Sequence, residues 1–522
     1  MRPIVLWGPP ASGKSTLSRA LAQRLGRPRI DTDQELAERH DCTVGSLFER
    51  HREWGFRQLE HSLIRELMVR PDAPVIAVGG GSLLDRTVRH EVLERAWVLG
   101  LSVETTTLFA RVCAEPNTRP LLQGPSEERV AALVAQRAEA YAECHATIHA
   151  TGPLEEIVHA IEQALAQCER EDVVAVPLGS RTYRVHFAPI ATLARRVASL
   201  SRAPSSVLAV TDRNVLAAPG VLGAIHSLTA NEPVVLRGDG DEEKNLSTLS
   251  GIWDAALATE FDRHAVLAAI GGGVVTDLTG FAAATLLRGV RYVSAPTTVL
   301  AMADASVGGK TAIDHPLGKN LIGSFCQPSL VLCDVQTLAT LSARERVAGL
   351  AEVAKIAAIG DAVLLDALEA QAERLRAGDP DALREVLVRA VGCKTRFVAQ
   401  DEHESGIRAA LNFGHTLGHA IELASGFSLL HGEAVALGMR AALGWGVRCG
   451  VTSPALQQRL DSLLTALGLP AHVPGGLDRA KIEAAIRRDK KRTTGEMTVI
   501  LCDAPGSFCA HRCSFETLFA WL

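Results

Sequence analysis

Between a short apolar run, Ile4–Leu6, and a helical pattern from about Ser15 to Arg24 lies GPPASGKST, Gly8–Thr16. The spacing G-x4-G-K-[ST], with a strand before it and a helix after it, restricts the start of the chain to a strand–loop–helix unit of a parallel α/β layer. Loop N–H groups and the helix N-terminus would cradle nucleotide phosphates. Gly8 and Gly13 open the loop, Lys14 would reach the β- and γ-phosphates, and Ser15, with Thr16 beside it, would hold magnesium.

A chain of 522 residues is too long for one core. At about 150 residues per domain it predicts three or four packing units. A net charge of -5, with 47% hydrophobic and 22% charged residues, describes a globular protein without the basic field that nucleic acid requires. Small-molecule partners fit better. Eleven cysteines without a CxxC pair point to a reducing compartment, and cytoplasm is expected. The most apolar stretch, His264–Leu287, is broken by Asp277 and four glycines, so neither a membrane span nor a signal peptide is expected. No internal repeat or low-complexity tract is visible.

The predicted architecture is α/β. A P-loop module with a parallel sheet flanked by helices covers residues 1–168. Apolar strands at Val207–Val210, Val234–Leu236, Val266–Ile270, Tyr292–Ser294 and Leu330–Cys333 alternate with helical stretches, giving a Rossmann-type α/β domain over 173–335. Past Leu341 the pattern is helical, and an all-helical domain is expected over 336–522.

Four pieces follow the phosphate loop: DTD at Asp31–Asp33, FRQLE at Phe56–Glu60, VGGGS at Val78–Ser82 and NTRPLL at Asn117–Leu122. In that order they resemble shikimate kinase. The resemblance implies ATP with Mg2+ as the phosphoryl source and assigns Asp33 to the substrate hydroxyls beside the reacting one, with Asp31 helping to arrange magnesium. Arg57 and Arg137 would pair with the substrate carboxylate, a task suited to guanidinium. Gly79, Gly80 and Gly81 would let the backbone approach the ring, and Arg119 would neutralise the transferred phosphoryl group. Ala11 stands where the family often has glycine, and Ala140 where it usually has leucine.

The second half offers AEVAK at Ala351–Lys355, LNFGHTLGHA at Leu411–Ala420 and LHGEA at Leu430–Ala434. Glu352, His415, His419 and His431 are enough for a cation site with an open position. Residue types alone leave the ligand set open, since His419 lies i+4 from His415. GGGVVTD at Gly271–Asp277 follows an apolar strand, and glycines at a strand end favour phosphate binding.

With TDRNV (Thr211–Val215), RGV (Arg288–Val290), PTT (Pro296–Thr298) and DASVGGKTAIDHPLGKN (Asp304–Asn320), these segments resemble 3-dehydroquinate synthase. The resemblance implies NAD+ and Zn2+ (or Co2+), with Glu352, His415 and His431 as ligands. It places Asp212, Asn214, Lys244, Gly272, Gly273, Asp277, Thr297 and Thr298 at NAD. Lys310, Lys355 and His419 become catalytic contacts, with Asp304, Lys319, Asn320, Lys394, Arg408, Asn412 and Lys490 (or Lys491) holding the phosphate and carboxylate of a heptulosonate 7-phosphate. Arg288 would cross a homodimer interface. Thr276 and Asp241 depart from the usual glycine and glutamate. Another sugar-phosphate cyclase, a polyol dehydrogenase of the same fold, or a regulatory module without turnover are the competing readings. Cys509, His511 and Cys513 read as incidental thiols and imidazole in a frayed terminus.

Overall fold

The computed structural model describes residues 1–114, 126–238, 240–475, 477, 479–489 and 496–514. Two compact units result, Met1–Arg184 and Val185–Leu522.

In the first unit five parallel strands lie in the order Arg29–Asp31, Val75–Ala77, Ile4–Trp7, Trp97–Ser102, Ala146–His149. The central strand has no polar side chain because it is covered on both faces. Ile4 and Leu6 enter one core and Val5 and Trp7 the other, as the two-residue period of a strand requires. Phosphate binding belongs at the carboxyl end of such a strand, and the helix Lys14–Leu25 starts there. The closing helix, expected to end near Cys168, runs over Leu154–Glu171. Beyond it, a short strand and a 3-10 turn also pack with this unit.

The parallel sheet of the second unit runs, from residues 185–187, through Val331–Cys333, Arg291–Pro296, Val266–Gly271 and Val207–Asp212 to Val234–Leu236. The five expected strands are present. Two strand elements escaped the sequence reading here: the strand Tyr183–Phe187, and an antiparallel hairpin of Lys310–His315 with Gly318–Phe325. Its second strand is largely exposed and carries Leu321, Ile322 and Phe325 out of two-residue step, so no apolar alternation announces it.

Helices Ala343–Gly360, Ala362–Ala377, Pro380–Gln400, His415–Ala424, His431–Arg448 and Pro454–Ala466 form the rest of the unit with Arg479–Asp489. The first opens on a Ser342–Glu345 capping box and is buried continuously from Ala348 to Ile359. One expectation needs correction: the carboxy-terminal region is helical but closes on an antiparallel hairpin, Glu496–Ala504 with Ser507–Ser514, rather than a frayed end. Cys509, His511 and Cys513 share one strand face at two-residue spacing, Cys513 is buried, and His511 stacks edge-on against Trp445 at 6.0 Å. Packing explains these residues. No described helix is long and apolar enough to cross a membrane.

Candidate functional sites

The first site forms where the phosphate loop meets the Gly79–Gly81 turn. Lys14 Nζ folds back on the loop, 2.7 Å from the Pro9 oxygen and 3.0 Å from that of Gly8, while Ser15 and Thr16 stand exposed on the first helical turn. Ala11 takes φ 63°, the left-handed region that its usual glycine would adopt freely, at a cost of about 1–2 kcal/mol. Arg111, which the motifs did not reveal, donates to the Ala11 oxygen at 3.3 Å and braces the loop.

A Cβ on Gly80 would lie 3.1 Å from Pro10 Cδ, and one on Gly79 3.3 Å from Asp33 Oδ1; on Gly81 it would meet the Arg57 guanidinium. The three glycines therefore let the phosphate loop, Asp33 and Arg57 approach one another. Arg57 Nη1 pairs with Glu60 Oε2 at 2.5 Å, and Glu60 also accepts from Ser82. Asp33 opens to solvent within this crowded cleft. Its pKa is pushed up to about 6, by lost solvation first and then by Glu60 and Asp31, against Lys14 and Arg57. Asp31 is drawn to Arg29 at 2.9 Å. Arg137 is buried beside the Tyr141 oxygen, and Tyr141 donates to the Gly80 oxygen at 2.8 Å. Arg119 lies outside the described residues.

The second site begins with a close helix crossing. A Cβ on Gly432 would collide with the Ala348 carbonyl oxygen, so glycine lets the helix His431–Arg448 lie directly on Ala343–Gly360. This brings His431 over Glu352. Glu352 is wholly buried, and its Oε1 lies 3.4 Å from Nε2 of both His415 and His431. One ring nitrogen each of His415, His419 and His431 also falls within 4.8 Å of the others. Geometry gathers all four residues, and outer partners orient His415 and His431. His415 Nδ1 lies 3.2 Å from the Phe413 oxygen and His431 Nδ1 3.4 Å from Glu422 Oε2. Each contact holds a proton on Nδ1 and aims Nε2 inward, as in carboxylate–histidine–metal arrangements.

Electrostatics agree with a cation-accepting centre. Burial alone would raise the Glu352 carboxyl, yet Lys355 and His415 hold it well below the ordinary range. His431 rises to about 9, since hydrogen bonds to Glu352 and Glu422 outweigh its burial. Burial, with Lys355 adjacent, keeps His415 neutral well below its usual value. A buried carboxylate facing two inward Nε2 atoms fits a divalent cation, which would displace the proton that His431 shares with Glu352.

Around it the cations are held ready by acids. Lys355 pairs with Glu352, and Lys310 with Glu404. Lys394 Nζ lies 2.6 Å from Asp304 Oδ1 and falls to about 8 through burial, against Asp304. Arg408 is buried, with Nη2 2.9 Å from the Gly308 oxygen, and Asn412 Nδ2 donates to Glu404 Oε1 at 2.8 Å. Lys319 bridges Glu422, at 2.7 Å, and Asp241, at 2.5 Å. The reading of the motifs missed Glu404 and Glu422. Glu422 lies i+7 from His415 and i+3 from His419, a same-face spacing that could have marked it.

At the carboxyl ends of the parallel strands stand Asp212, Gly272, Gly273, Thr297 and Thr298. Asp212 accepts from the Asn214 amide at 2.8 Å, and Asn214 Nδ2 donates to the Gly238 oxygen at 3.2 Å. Asp277 Oδ2 meets Lys244 Nζ at 2.6 Å, and Lys244 also donates to Asn320. Thr276 is accommodated by donating to the Gly273 oxygen at 3.0 Å. Arg288 is exposed on a turn, at φ 66°, and Lys490 and Lys491 lie outside the described residues.

Comparison with known proteins finds relatives for both halves of the chain. Residues 10–166 match the shikimate kinase family, residues 234–348 the 3-dehydroquinate synthase N-terminal model and residues 349–492 its C-terminal counterpart. The 3-dehydroquinate synthase of Pelobacter propionicus is 48% identical over 263 residues, covering 50% of this chain and 73% of the relative. That of Rhodospirillum rubrum is 44% identical over 355 residues, 65% of this chain and 90% of the relative. A solved 2-epi-5-epi-valiolone synthase from Streptomyces hygroscopicus subsp. jinggangensis, with NAD+ and Zn2+ bound, is 29% identical with TM-score 0.58, covering 65% of this chain and 95% of that one. This chain belongs to the 3-dehydroquinate synthase family and carries a shikimate kinase domain ahead of it.

Proposed function

We propose that the polypeptide catalyses two steps of the route to chorismate: ATP-dependent phosphorylation of shikimate to shikimate 3-phosphate, and cyclisation of 3-deoxy-D-arabino-heptulosonate 7-phosphate to 3-dehydroquinate with release of phosphate. The observation that carries the second is Glu352 between the Nε2 atoms of His415 and His431. Residues 173–335 serve NAD+, and residues 336–522 hold the cation and substrate. The test is paired: phosphate release from the heptulosonate with and without chelator, beside an ATP-dependent shikimate assay. Chelator should remove the first activity after magnesium is restored, and leave the second.

In the kinase site Arg57 and Arg137 fix the shikimate carboxylate, and Asp33 accepts the proton of the attacking hydroxyl. Lys14 neutralises the β- and γ-phosphates, while Ser15 and Asp31 are the residues placed to serve Mg2+. Asp33 works ionised. Kinase kcat/KM is therefore expected to be flat above about pH 6 and to fall roughly tenfold per unit below it. Asp33→Asn should remove that limb together with most of the activity, and a profile still bending near 6 in this variant would exclude Asp33 as the base.

In the synthase site the bound divalent cation and NAD+ would supply acidification of the substrate alcohol and a reversible electron acceptor. Lys310, Lys355, Lys394, Arg408 and Asn412 orient phosphate and carboxylate, exchanging their present carboxylate or carbonyl partners to do so. His419, exposed beside the two ligands, is placed to carry a proton. Glu422 fixes the His431 ring, so Glu422→Gln should weaken cation affinity about 10- to 100-fold, read by titration into chelated enzyme. Unchanged affinity would leave Glu422 with Lys319 alone.

The chain is proposed to form a homodimer through the synthase. Leu317, Leu321, Ile322 and Phe325 are exposed along one hairpin, and Arg288 is presented on a turn where Leu287 and Arg288 both hold positive φ. A monomer in sedimentation at micromolar concentration would overturn this.

A further inference from the structure

We infer that the segment joining the two units is a positioning element of the kinase site, with Arg184 setting the helix from which Arg137 reaches the shikimate carboxylate. The inference rests on the role proposed above for Arg137.

The helix Glu127–Ala142 carries Arg137 and Tyr141. Like any helix, it leaves its last carbonyls without intrahelical partners and its carboxyl end negative. The joining segment answers both needs. Arg184 Nη2 donates to the Ala142 oxygen at 3.3 Å, and its Nε to the Cys144 oxygen at 3.1 Å. A half-buried guanidinium thus caps the helix where the chain leaves it. Between these carbonyls Glu143 turns inward. Its Oε1 accepts the Gly179 amide at 2.8 Å and its Oε2 the Arg89 Nε at 2.6 Å, with His90 Nε2 at 3.7 Å. Gly179 takes φ 62° in a turn closed by Thr182, whose hydroxyl donates to the Gly179 oxygen at 2.7 Å and accepts the Leu178 amide at 3.1 Å. Ala175 enters the same core as Trp7, Val98 and Cys144.

Helix Glu127–Ala142 is held at this end by residues 175–184, which follow the stretch matched to shikimate kinase, 10–166. Directly before the capped carbonyl of Ala142, Tyr141 donates to the Gly80 oxygen, and Arg137, one turn earlier on the helix, sits beside it. A shift of the capped end would move both the arginine and the glycine turn. Steps far from the bond being made are sensitive to such placement.

The test uses the full-length chain with Arg184→Met, which keeps the aliphatic stem, together with Arg184→Lys and Arg137→Ala. Arg184→Met should raise the shikimate KM about 5- to 10-fold, with kcat and the ATP KM within about twofold and synthase kcat/KM unchanged. Arg184→Lys should restore part of the loss. If Arg137→Ala raises the shikimate KM and Arg184→Met does not, the inference is wrong. If Arg137→Ala also leaves it unchanged, the carboxylate role of Arg137 fails first. Equal losses in kcat and in both KM values for Arg184→Met would indicate general loosening of the unit and overturn a positioning role.

Discussion

Glu352→Gln is expected to abolish heptulosonate-dependent phosphate release, by about a thousandfold or more, while leaving shikimate phosphorylation within twofold of the parent. Glutamine keeps the volume of the buried side chain and one carbonyl oxygen. It removes the negative charge that faces Nε2 of His415 and His431 and pairs with Lys355. The loss is twofold in kind. A cation would have two neutral imidazoles and an amide to bind it, and the Lys355 ammonium, fully buried, would lose its principal counter-charge. The Lys355 pKa, now raised because Glu352 and Asp304 outweigh burial, should drop in the variant. Metal content after dialysis and phosphate release measure the two effects separately. A variant with full metal content and full turnover would remove Glu352 from the site; one with full metal and no turnover would assign it a role in the chemistry alone.

Lys14→Met should be equally severe in the other half, with kinase kcat/KM falling about a thousandfold and synthase turnover unchanged. The ammonium rests on the carbonyls of Gly8 and Pro9, so it is already desolvated and aimed within the loop. Moving from neutral carbonyls to anionic phosphate oxygens strengthens its contacts when nucleotide arrives, and further as charge shifts in transfer. Methionine preserves the stem and the packing of the helix Lys14–Leu25. Nucleotide affinity by calorimetry and turnover by coupled assay separate ground-state binding from transition-state stabilisation. Loss of synthase activity in Lys14→Met would contradict the division into two independently working sites.

Much of this arrangement was legible where chemistry depends on local sequence. The phosphate loop needs a strand, a turn and a helix in succession, and its residues are contiguous. Val207–Val210, Val266–Ile270 and Leu330–Cys333 announce a buried parallel sheet by their unbroken apolarity, and the glycines at Gly271–Gly273 fall at a strand end as that sheet demands. Glu352, His415 and His431 come from different helices, yet their motifs singled them out and the folded chain gathers them. The partners that tune them were not legible. Glu422, Glu404 and Tyr141 act by tertiary contacts to a histidine, a lysine and a glycine carbonyl; helix spacing hinted at the first, and nothing local in the sequence marks the other two. The hairpin Lys310–Phe325 was hidden because its apolar residues do not alternate along the strand. The terminal hairpin was hidden because its cohesion is tertiary: the Thr452 hydroxyl donates to the Cys502 oxygen at 2.6 Å, and the Gly506 amide to that of Ala358 at 3.0 Å.

Val185 finds its sheet partner, Val331, only after about 150 further residues have been made. On the ribosome the first unit can mature early, whereas the strand that follows it, with Val185 and Phe187 destined for burial, emerges long before the neighbour that will cover its edge. The order of synthesis therefore leaves one sticky β-edge waiting during translation. Chaperone engagement of nascent chains should concentrate on lengths at which 185–187 has emerged and Val331–Cys333 has not.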